Sequence, residues 1–131
     1  MNDTYQRALK EAESWLVSAK LQLVGAQSDD ASANVCCAQA IHSIIRAHDA
    51  LSLKFLGHKP TRHDDVAIVF AKLIRDGKLP STAENFKSLI ANAMRDKSGA
   101  DYGKSSFSLE DAEEYVEQTE HFIAMAKDIL G

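Results

Sequence analysis

The sequence predicts an all-α fold, an antiparallel up-and-down bundle of four long helices and one short helix. Apolar residues recur at every third or fourth position along almost the whole chain, and no run alternates with the period of a strand. Brief connections separate these segments, so their apolar stripes can be buried only against one another. With 131 residues, 45% of them hydrophobic, the chain is expected to form one domain over residues 1–131.

The first two predicted helices make up about two fifths of the chain. Helical spacing begins at Tyr5 and continues to Gly25, which predicts a first helix over residues 3–25. A short acidic link then caps a second pattern that ends at Gly57, as a C-terminal glycine would. The second helix, over residues 30–57, would be on the order of 40 Å long, which is typical of a bundle member.

The third and fourth helices are predicted from capping patterns. Thr61 with Asp64 can cap a short third helix that Gly77 ends. Ser81 with Glu84 forms a capping-box pattern before the apolar stripe of the fourth helix. The prediction is therefore one short helix followed by a longer one.

The remaining elements are a loop and the last helix. The fourth helix is expected to end near Lys97, before a Gly/Ser-rich loop over residues 98–106. A loop of this length inside a compact domain is more often functional than decorative. Ser108 with Asp111 begins the fifth helix, which keeps its period to the chain end.

The expected core follows from the apolar stripes. We expect these side chains to be largely buried: Trp15, Leu16, Ile41, Ile45, Phe55, Phe70, Leu73, Phe86, Ile90, Met94, Tyr115, Phe122 and Ile129.

Composition limits the classes of function. A net charge of -4 disfavours a general nucleic-acid or membrane-surface binder, so any polyanion site must be local. No stretch is long and apolar enough for a membrane span, and the polar start lacks a signal peptide, so a cytoplasmic location is expected. Cys36 and Cys37 are adjacent and badly placed to bridge each other, which predicts reduced thiols.

The histidines do not form a metal motif. His42 and His48 are six residues apart, and neither has a ligand-type residue three or four positions away on its helix. His48 lies on the apolar stripe and is expected to be a core histidine with one satisfied nitrogen. Hydrolase elbows, Walker loops and dinucleotide fingerprints are absent, so no metal and no cofactor is predicted.

The basic residues give a candidate phosphate patch. If the end of the second helix approaches the residues that follow the fourth, the patch would comprise Arg46, Arg62, Arg95, Lys97 and Lys104. Scattered surface cations are the alternative explanation, because the sequence alone does not place these residues side by side.

Four segments together resemble the HEPN family, the higher eukaryotes and prokaryotes nucleotide-binding domain. They are residues 44–51 on the long second helix, 61–66 at the entry to the third, 95–102 with its Ala-Asp-Tyr stretch, and 109–114 at the start of the last helix. The resemblance covers essentially the whole chain. It implies a helical bundle related to the substrate-binding domains of nucleotidyltransferases.

Many HEPN proteins are metal-independent ribonucleases with an R-x(4-6)-H motif, and the resemblance lets that motif be tested. For Arg95 the histidine positions hold Ala100, Asp101 and Tyr102, and the corresponding positions after Arg46 and Arg62 also lack histidine. An aspartate there would be ionised and would repel a phosphate. The resemblance therefore implies a member without the usual catalytic pair.

Other HEPN members carry R-x4-H-x-Y, whose tyrosine accepts nucleotides transferred by a partner nucleotidyltransferase. Tyr102 is the candidate for that role. The alternative is a structural tyrosine that closes the loop onto the bundle, with its hydroxyl hydrogen-bonded nearby.

The expected function is a non-catalytic HEPN-like module. It would bind a nucleotide, an RNA phosphate or a nucleotidyltransferase partner through Arg46, Arg95, Asp101 and Tyr102, as part of a toxin-antitoxin or defence pair, and would form a homodimer. One alternative is a divergent ribonuclease whose general base is His48 or His63. Another is a pure protein-interaction bundle.

The sequence also makes one geometric prediction about this site. Asp101 is expected to reach back to Arg95 within salt-bridge distance, replacing the family's imidazole by a structural tie. Gly99 and Gly103 would let the loop present Asp101 and Tyr102 from a defined turn, with the Tyr102 ring packed on the bundle.

Overall fold

A computed structural model describes residues 3–25, 30–103 and 106–131, and every regular element in these ranges is helical, which confirms the all-α class. The elements are α1 (Tyr5–Gly25), α2 (Asp30–Leu56), α3 (His63–Arg75), a 3-10 helix (Ser81–Phe86), α4 (Lys87–Tyr102) and α5 (Leu109–Leu130). Helices α2, α5 and α1 have 27, 22 and 21 residues, against 16 in α4 and 13 in α3, so the predicted division into four long helices and one short helix is only approximate.

The first two helices form an antiparallel hairpin. The Ser43 hydroxyl donates to the Ala12 carbonyl oxygen at 2.6 Å, and the Cys36 thiol donates to the carbonyl oxygen of Ala19 at 3.2 Å. Small side chains on α1 allow this close approach, because Ala8, Ala12 and Ala19 are all fully buried against α2.

The two cysteines lie inside this packing. Both are free and fully buried. Burial raises the pKa of the Cys36 thiol to about 11 and that of Cys37 to about 12, so both thiols stay protonated at neutral pH.

Helix α2 is central, because it packs against α1, α3, α4 and α5. Aromatic rings fill the core beside it: Phe122 lies 5.9 Å from Phe70 and 5.4 Å from Phe86 between ring centroids. Most of the expected core side chains are buried, and Ile45, Phe55, Phe86, Met94 and Ile129 pack against them partly buried. Across the described ranges, no helix is both long and apolar enough to cross a membrane.

Trp15 is the exception to the predicted core, and its predicted burial is wrong. Its side chain is 37% exposed on the flank of α1, and its ring stacks on His42 of α2 with centroids 4.8 Å apart. The close approach of α1 and α2 through alanines leaves no room for an indole between them, so the ring covers the groove from outside.

Of the caps predicted for the third, fourth and fifth helices, two are wrong; the acidic link predicted to cap the second helix lies mostly outside the described residues. Helix α3 begins at His63 after Arg62, which makes no side-chain cap hydrogen bond, so Thr61 does not cap it. Ser81 opens a 3-10 helix after Pro80, without a side-chain cap. The third prediction is confirmed, because Ser108 and Asp111 form a reciprocal capping box at the start of α5.

Residues 98–102 of the predicted loop are helical, so the predicted end of the fourth helix near Lys97 is wrong. Helix α4 continues to Tyr102, and Gly103 ends it in the left-handed conformation with φ 67°. Gly99 is buried inside the helix rather than in a turn. Lys104 of the predicted patch lies outside the described residues.

Candidate functional site

Arg46, the first sequence-predicted site residue, lies in a closed ion network. Its side chain is 17% exposed, and its guanidinium nitrogens lie 3.2 Å from the carboxylate of Asp3, 2.8 Å from that of Glu11 and 2.8 Å from that of Asp49. Three carboxylates from α1, α2 and the segment before α1 therefore surround one cation. No hydrogen-bonding edge of this guanidinium is left over for a phosphate.

The surroundings of Arg46 balance its charge. Burial would lower the Arg46 pKa, but the hydrogen bonds that its guanidinium donates to the three carboxylates outweigh burial and raise that pKa. Burial also raises the pKa of Asp49, although Arg46 opposes the shift. The depression here, about 440 Å³, is lined by three acidic and three basic side chains: Asp3, Arg7, Glu11, Arg46, Asp49 and Lys59. An anion would have to displace the protein's own carboxylates.

Arg95 on α4 has a very different environment. Its side chain is 69% exposed, and its Nε and one terminal nitrogen, Nη2, donate to the two carboxylate oxygens of Asp96 at 3.0 and 3.3 Å. The Tyr115 hydroxyl of α5 donates a hydrogen bond to Asp96 at 2.5 Å. Burial of the hydroxyl is the main cause that raises the Tyr115 pKa, and the hydrogen bond to Asp96 raises it further. Asp96 thus orients the guanidinium through Nε and Nη2, and most of the Arg95 side chain is open to solvent.

A cleft of about 280 Å³ lies beside Arg95, between α4 and α5. Arg95 is the single cation in its lining, whereas Asp96, Asp111 and Glu114 contribute three carboxylates. This charge balance disfavours an anion inside the cleft. A phosphate would instead meet the solvent side of Arg95.

Asp101 is held by other partners than Arg95, so the predicted salt bridge between them is wrong. Its carboxylate lies 2.6 Å from Lys97 Nζ and 3.2 Å from Nε2 of His42. Burial would raise the Asp101 pKa, but Lys97 and His42 outweigh it and lower that pKa. Because α4 stays helical, residues six positions apart project about 120° apart, and Arg95 and Asp101 face different sides.

Tyr102 is exposed, so the predicted packing of its ring on the bundle is wrong. The side chain is 75% exposed on the last turn of α4. It lies seven residues after Arg95, which puts both on the same face of α4, roughly 10 Å apart along the axis. The exposed Ser98 lies between them on that face. The structure therefore brings together two of the four predicted site residues.

The comparisons with known proteins decide the family. A protein-family model described as "HEPN domain" matches residues 5–129. The chain belongs to the HEPN family. No curated protein matches it. In this HEPN chain the interval from Arg95 to Tyr102 is that of R-x4-H-x-Y, with Ala100 in place of the histidine.

The histidines of this HEPN domain lie elsewhere. His48 is fully buried beside Phe70, and neither ring nitrogen has a hydrogen-bond partner among the described residues, so the expected satisfied nitrogen is wrong. Burial lowers the His48 pKa to about 4. A ring with no solvent access cannot meet an RNA hydroxyl, which contradicts the general-base role of His48. His63 is exposed at the start of α3.

Sequence reasoning missed three contacts of the site: Tyr115 with Asp96, His42 with Asp101, and Lys97 with Asp101. The last was readable, because Lys97 and Asp101 are four residues apart on a helix, the spacing of a side-chain ion pair. The other two join different helices and leave no signal in the sequence. Within the described ranges, no group of three or more histidine, cysteine, aspartate or glutamate side chains could hold a metal ion.

Proposed function

We propose that this HEPN domain is a non-catalytic module that binds a nucleotide, free or within RNA, on the exposed face of α4 formed by Arg95, Ser98 and Tyr102. We call this surface the α4 face. The proposal depends on one observation: an arginine and a tyrosine, 69% and 75% exposed, share one face of α4.

The chemistry of the α4 face suits a phosphate next to an aromatic base. Asp96 fixes the Arg95 guanidinium through Nε and Nη2, which leaves Nη1 to donate two charge-assisted hydrogen bonds to phosphate oxygens. The Tyr102 ring offers a stacking surface, and base stacking on an aromatic side chain contributes about 1–3 kcal/mol. Ser98 between them adds a neutral hydroxyl and no charge that would repel phosphate.

The α4 face replaces the four-residue site expected from the sequence. Arg46 is enclosed by carboxylates, and Asp101 is engaged by Lys97 and His42, so neither belongs to the proposed contact surface. Asp101 retains an indirect role, because it ties the last turn of α4, which carries Tyr102, to α2.

The test is binding of a labelled single-stranded oligoribonucleotide, measured by fluorescence anisotropy, with adenosine monophosphate as competitor. We expect Arg95→Ala to weaken binding about tenfold, or about 1.4 kcal/mol. Tyr102→Ala should have a similar effect, whereas Tyr102→Phe should bind like the wild type. Arg62→Ala is the matched control, because Arg62 is also an exposed arginine beside an acidic residue, Asp64, at 3.4 Å.

Equal losses from Arg95→Ala and Arg62→Ala would contradict the proposal, because they would indicate diffuse charge attraction. Competition by adenosine monophosphate would show that the site binds a free nucleotide. Oligoribonucleotide binding without such competition would show that the site binds RNA. If the protein instead cleaves RNA, and Arg95→Ala and His63→Ala each abolish cleavage, it is a divergent ribonuclease. If the protein binds no oligoribonucleotide and its melting temperature does not change with any nucleotide, it is a pure protein-interaction bundle.

A second candidate function rests on the exposure of Tyr102. A nucleotidyltransferase partner, as in a toxin-antitoxin or defence pair, would transfer a nucleotidyl group to this hydroxyl: the phenolic oxygen attacks the α-phosphate of a nucleoside triphosphate, and pyrophosphate leaves. Intact-mass spectrometry after incubation with the candidate partner and ATP should show one added nucleotidyl group. The addition should vanish in Tyr102→Phe, and modification of that variant would contradict the assignment.

A further inference from the structure

The cleft of about 280 Å³ between α4 and α5 adjoins the α4 face, because Arg95 belongs to both. Pockets for drug-sized molecules hold about 300–1,000 Å³, so this cleft suits one ring system better than a whole nucleotide. Its buried lining side chains are Leu89, Phe107 and Tyr115. The two aromatic rings pack edge to face with centroids 6.5 Å apart. Together these side chains form an apolar floor, which favours a flat, uncharged ring.

Two of the three carboxylates that line the cleft already have partners within the protein. Asp96 accepts hydrogen bonds from the Arg95 guanidinium and from the Tyr115 hydroxyl. Asp111 accepts one from the backbone N–H of Ser108, in the capping box of α5. Both carboxylates therefore serve the fold, and the third one differs from them.

Glu114 is the carboxylate that a ligand can use. The residue is exposed, and one of its oxygens, Oε1, accepts a hydrogen bond from the Gln118 side chain at 2.8 Å. Among the described residues, the other oxygen, Oε2, has no partner. A carboxylate has about four lone-pair sites, so Glu114 can still accept hydrogen bonds from two parallel N–H donors. The cleft thus combines an apolar floor with a bidentate acceptor.

Arg95 lies where the cleft meets the α4 face. Each residue of a helix is rotated by about 100° from the one before, so Asn92 and Asp96 project to the cleft side of Arg95. Ser98 and Tyr102 project to its other side. A phosphate on the Arg95 guanidinium can therefore join a nucleotide on the α4 face to a neighbouring nucleotide at the cleft. The carboxylates of the cleft repel phosphate, so only the base of that neighbour enters.

We propose that the cleft binds the base of this neighbouring nucleotide and selects guanine through Glu114, an inference that rests on RNA binding by the α4 face. Bases of single-stranded RNA are recognised by stacking and by hydrogen bonds to their Watson–Crick edges. On that edge guanine presents two adjacent donors, N1–H and the N2 amino group, which match the two oxygens of a carboxylate. Adenine and cytosine present one amino group there and uracil one N–H, so none of them fills both oxygens.

Fluorescence anisotropy with a short oligoadenylate, and with the same strand carrying one central guanosine, tests the selection. We expect the wild type to bind the guanosine strand about tenfold more tightly. Strands with a central cytidine or uridine should bind like the oligoadenylate. Glu114→Gln should lose most of the preference, because an amide keeps one acceptor oxygen but turns N–H donors towards those of guanine. All the strands carry the same charge, so the ratio of their affinities does not report general charge attraction.

Glu113→Gln is the matched control, because Glu113 is an exposed glutamate of the same helix that does not line the cleft. It removes the same charge, so it should strengthen binding of every strand equally and keep the preference for guanosine. An unchanged preference in Glu114→Gln would overturn the inference. Equal affinity of the wild type for all strands, with binding still weakened by Arg95→Ala and Tyr102→Ala, would overturn it and leave the α4 face intact. If no strand binds, the inference falls together with RNA binding by the α4 face.

Discussion

The middle of α2 and the exposed face of α4 each present an arginine next to an acidic residue, but the two arginines have opposite environments. The Arg46 side chain is 17% exposed and contacts three carboxylates. The Arg95 side chain is 69% exposed, and Asp96 provides its one carboxylate partner among the described residues. Asp3 and Glu11 reach Arg46 from 43 and 35 residues away in the chain. Arg46 thus joins segments that are distant in the chain, whereas Arg95 is exposed at the surface, where a ligand can reach it.

The two regions should respond differently to substitution, because one contributes to stability and the other to binding. Around Arg46, His48 and Asp49, ionisable groups are buried, so changing one leaves another without a partner or in the wrong protonation state. On the α4 face, solvent replaces any contact that is lost. Substitutions in the first region should change the free energy of unfolding, and those in the second should change affinity.

The largest effect is expected from Arg46→Ala. Removing the guanidinium leaves Asp49, which is 7% exposed, as a buried carboxylate without its cation. We expect a loss of about 3 kcal/mol in the free energy of unfolding, measured by urea titration at pH 7. Arg46→Met combined with Asp49→Leu is the control, because it removes both buried charges. This double variant should recover at least half of the loss, and a single variant as stable as the wild type would contradict the comparison.

The next effect is a pH dependence that comes from His48. Burial lowers its pKa from 6.5 to about 4 in the folded protein, so the unfolded chain binds the proton more tightly. Below pH 6.5 His48 is protonated in the unfolded chain but stays neutral in the folded protein, so stability falls as the pH falls. The contribution of His48 should reach a loss of about 3 kcal/mol by pH 4.

Other groups titrate in the same range, so the measurement compares two proteins. His48→Leu keeps a similar volume without ionisable nitrogens and should be at least as stable as the wild type at pH 7. Urea titrations at several pH values should show its advantage growing from pH 6.5 towards pH 4. A constant difference between the two proteins would mean that the His48 ring is solvated in the fold.

A smaller effect is expected from Asp101→Asn, at the boundary between the two regions. The Asp101 carboxylate joins α4 to α2 through Lys97 and His42, and its pKa is lowered from 3.8. A lowered carboxyl pKa stabilises the fold above the unfolded value and loses this effect as pH falls. The variant should be about 1 kcal/mol less stable than the wild type at pH 7, and the difference should shrink as the pH falls below 3.8. A difference that stays constant as the pH falls below 3.8 would indicate lost packing instead.

The smallest effect on stability is expected from Arg95→Ala. Its contact with Asp96 is exposed to solvent, and substitutions at such positions usually leave the free energy of unfolding nearly unchanged. Thermal unfolding should therefore be unchanged, while affinity for the oligoribonucleotide falls. A variant that loses stability as much as Arg46→Ala would place Arg95 in the structural network and remove the distinction between the regions.

Local signals in the sequence predicted the helices well. The spacing of apolar residues gave five helical segments, and the Ser108–Asp111 box fixed the start of α5 because both partners lie within one turn. The end of α4 was predicted wrongly at residues 98–102. Gly99 suggested a turn, but the buried Gly99 and Ala100 pack against the bundle and keep this segment helical.

The sequence by itself determined the all-α class, the HEPN resemblance and the identity of the candidate residues, because these depend on periodicity and on order along the chain. Only the tertiary structure decided which candidates are free to bind. Arg46 and Arg95 look alike in sequence, but the partners of Arg46 come from distant segments, and no local pattern records that Asp3 and Glu11 enclose it. Burial and ion pairing are properties of the packed chain, and they made Arg46 structural while leaving Arg95 and Tyr102 exposed.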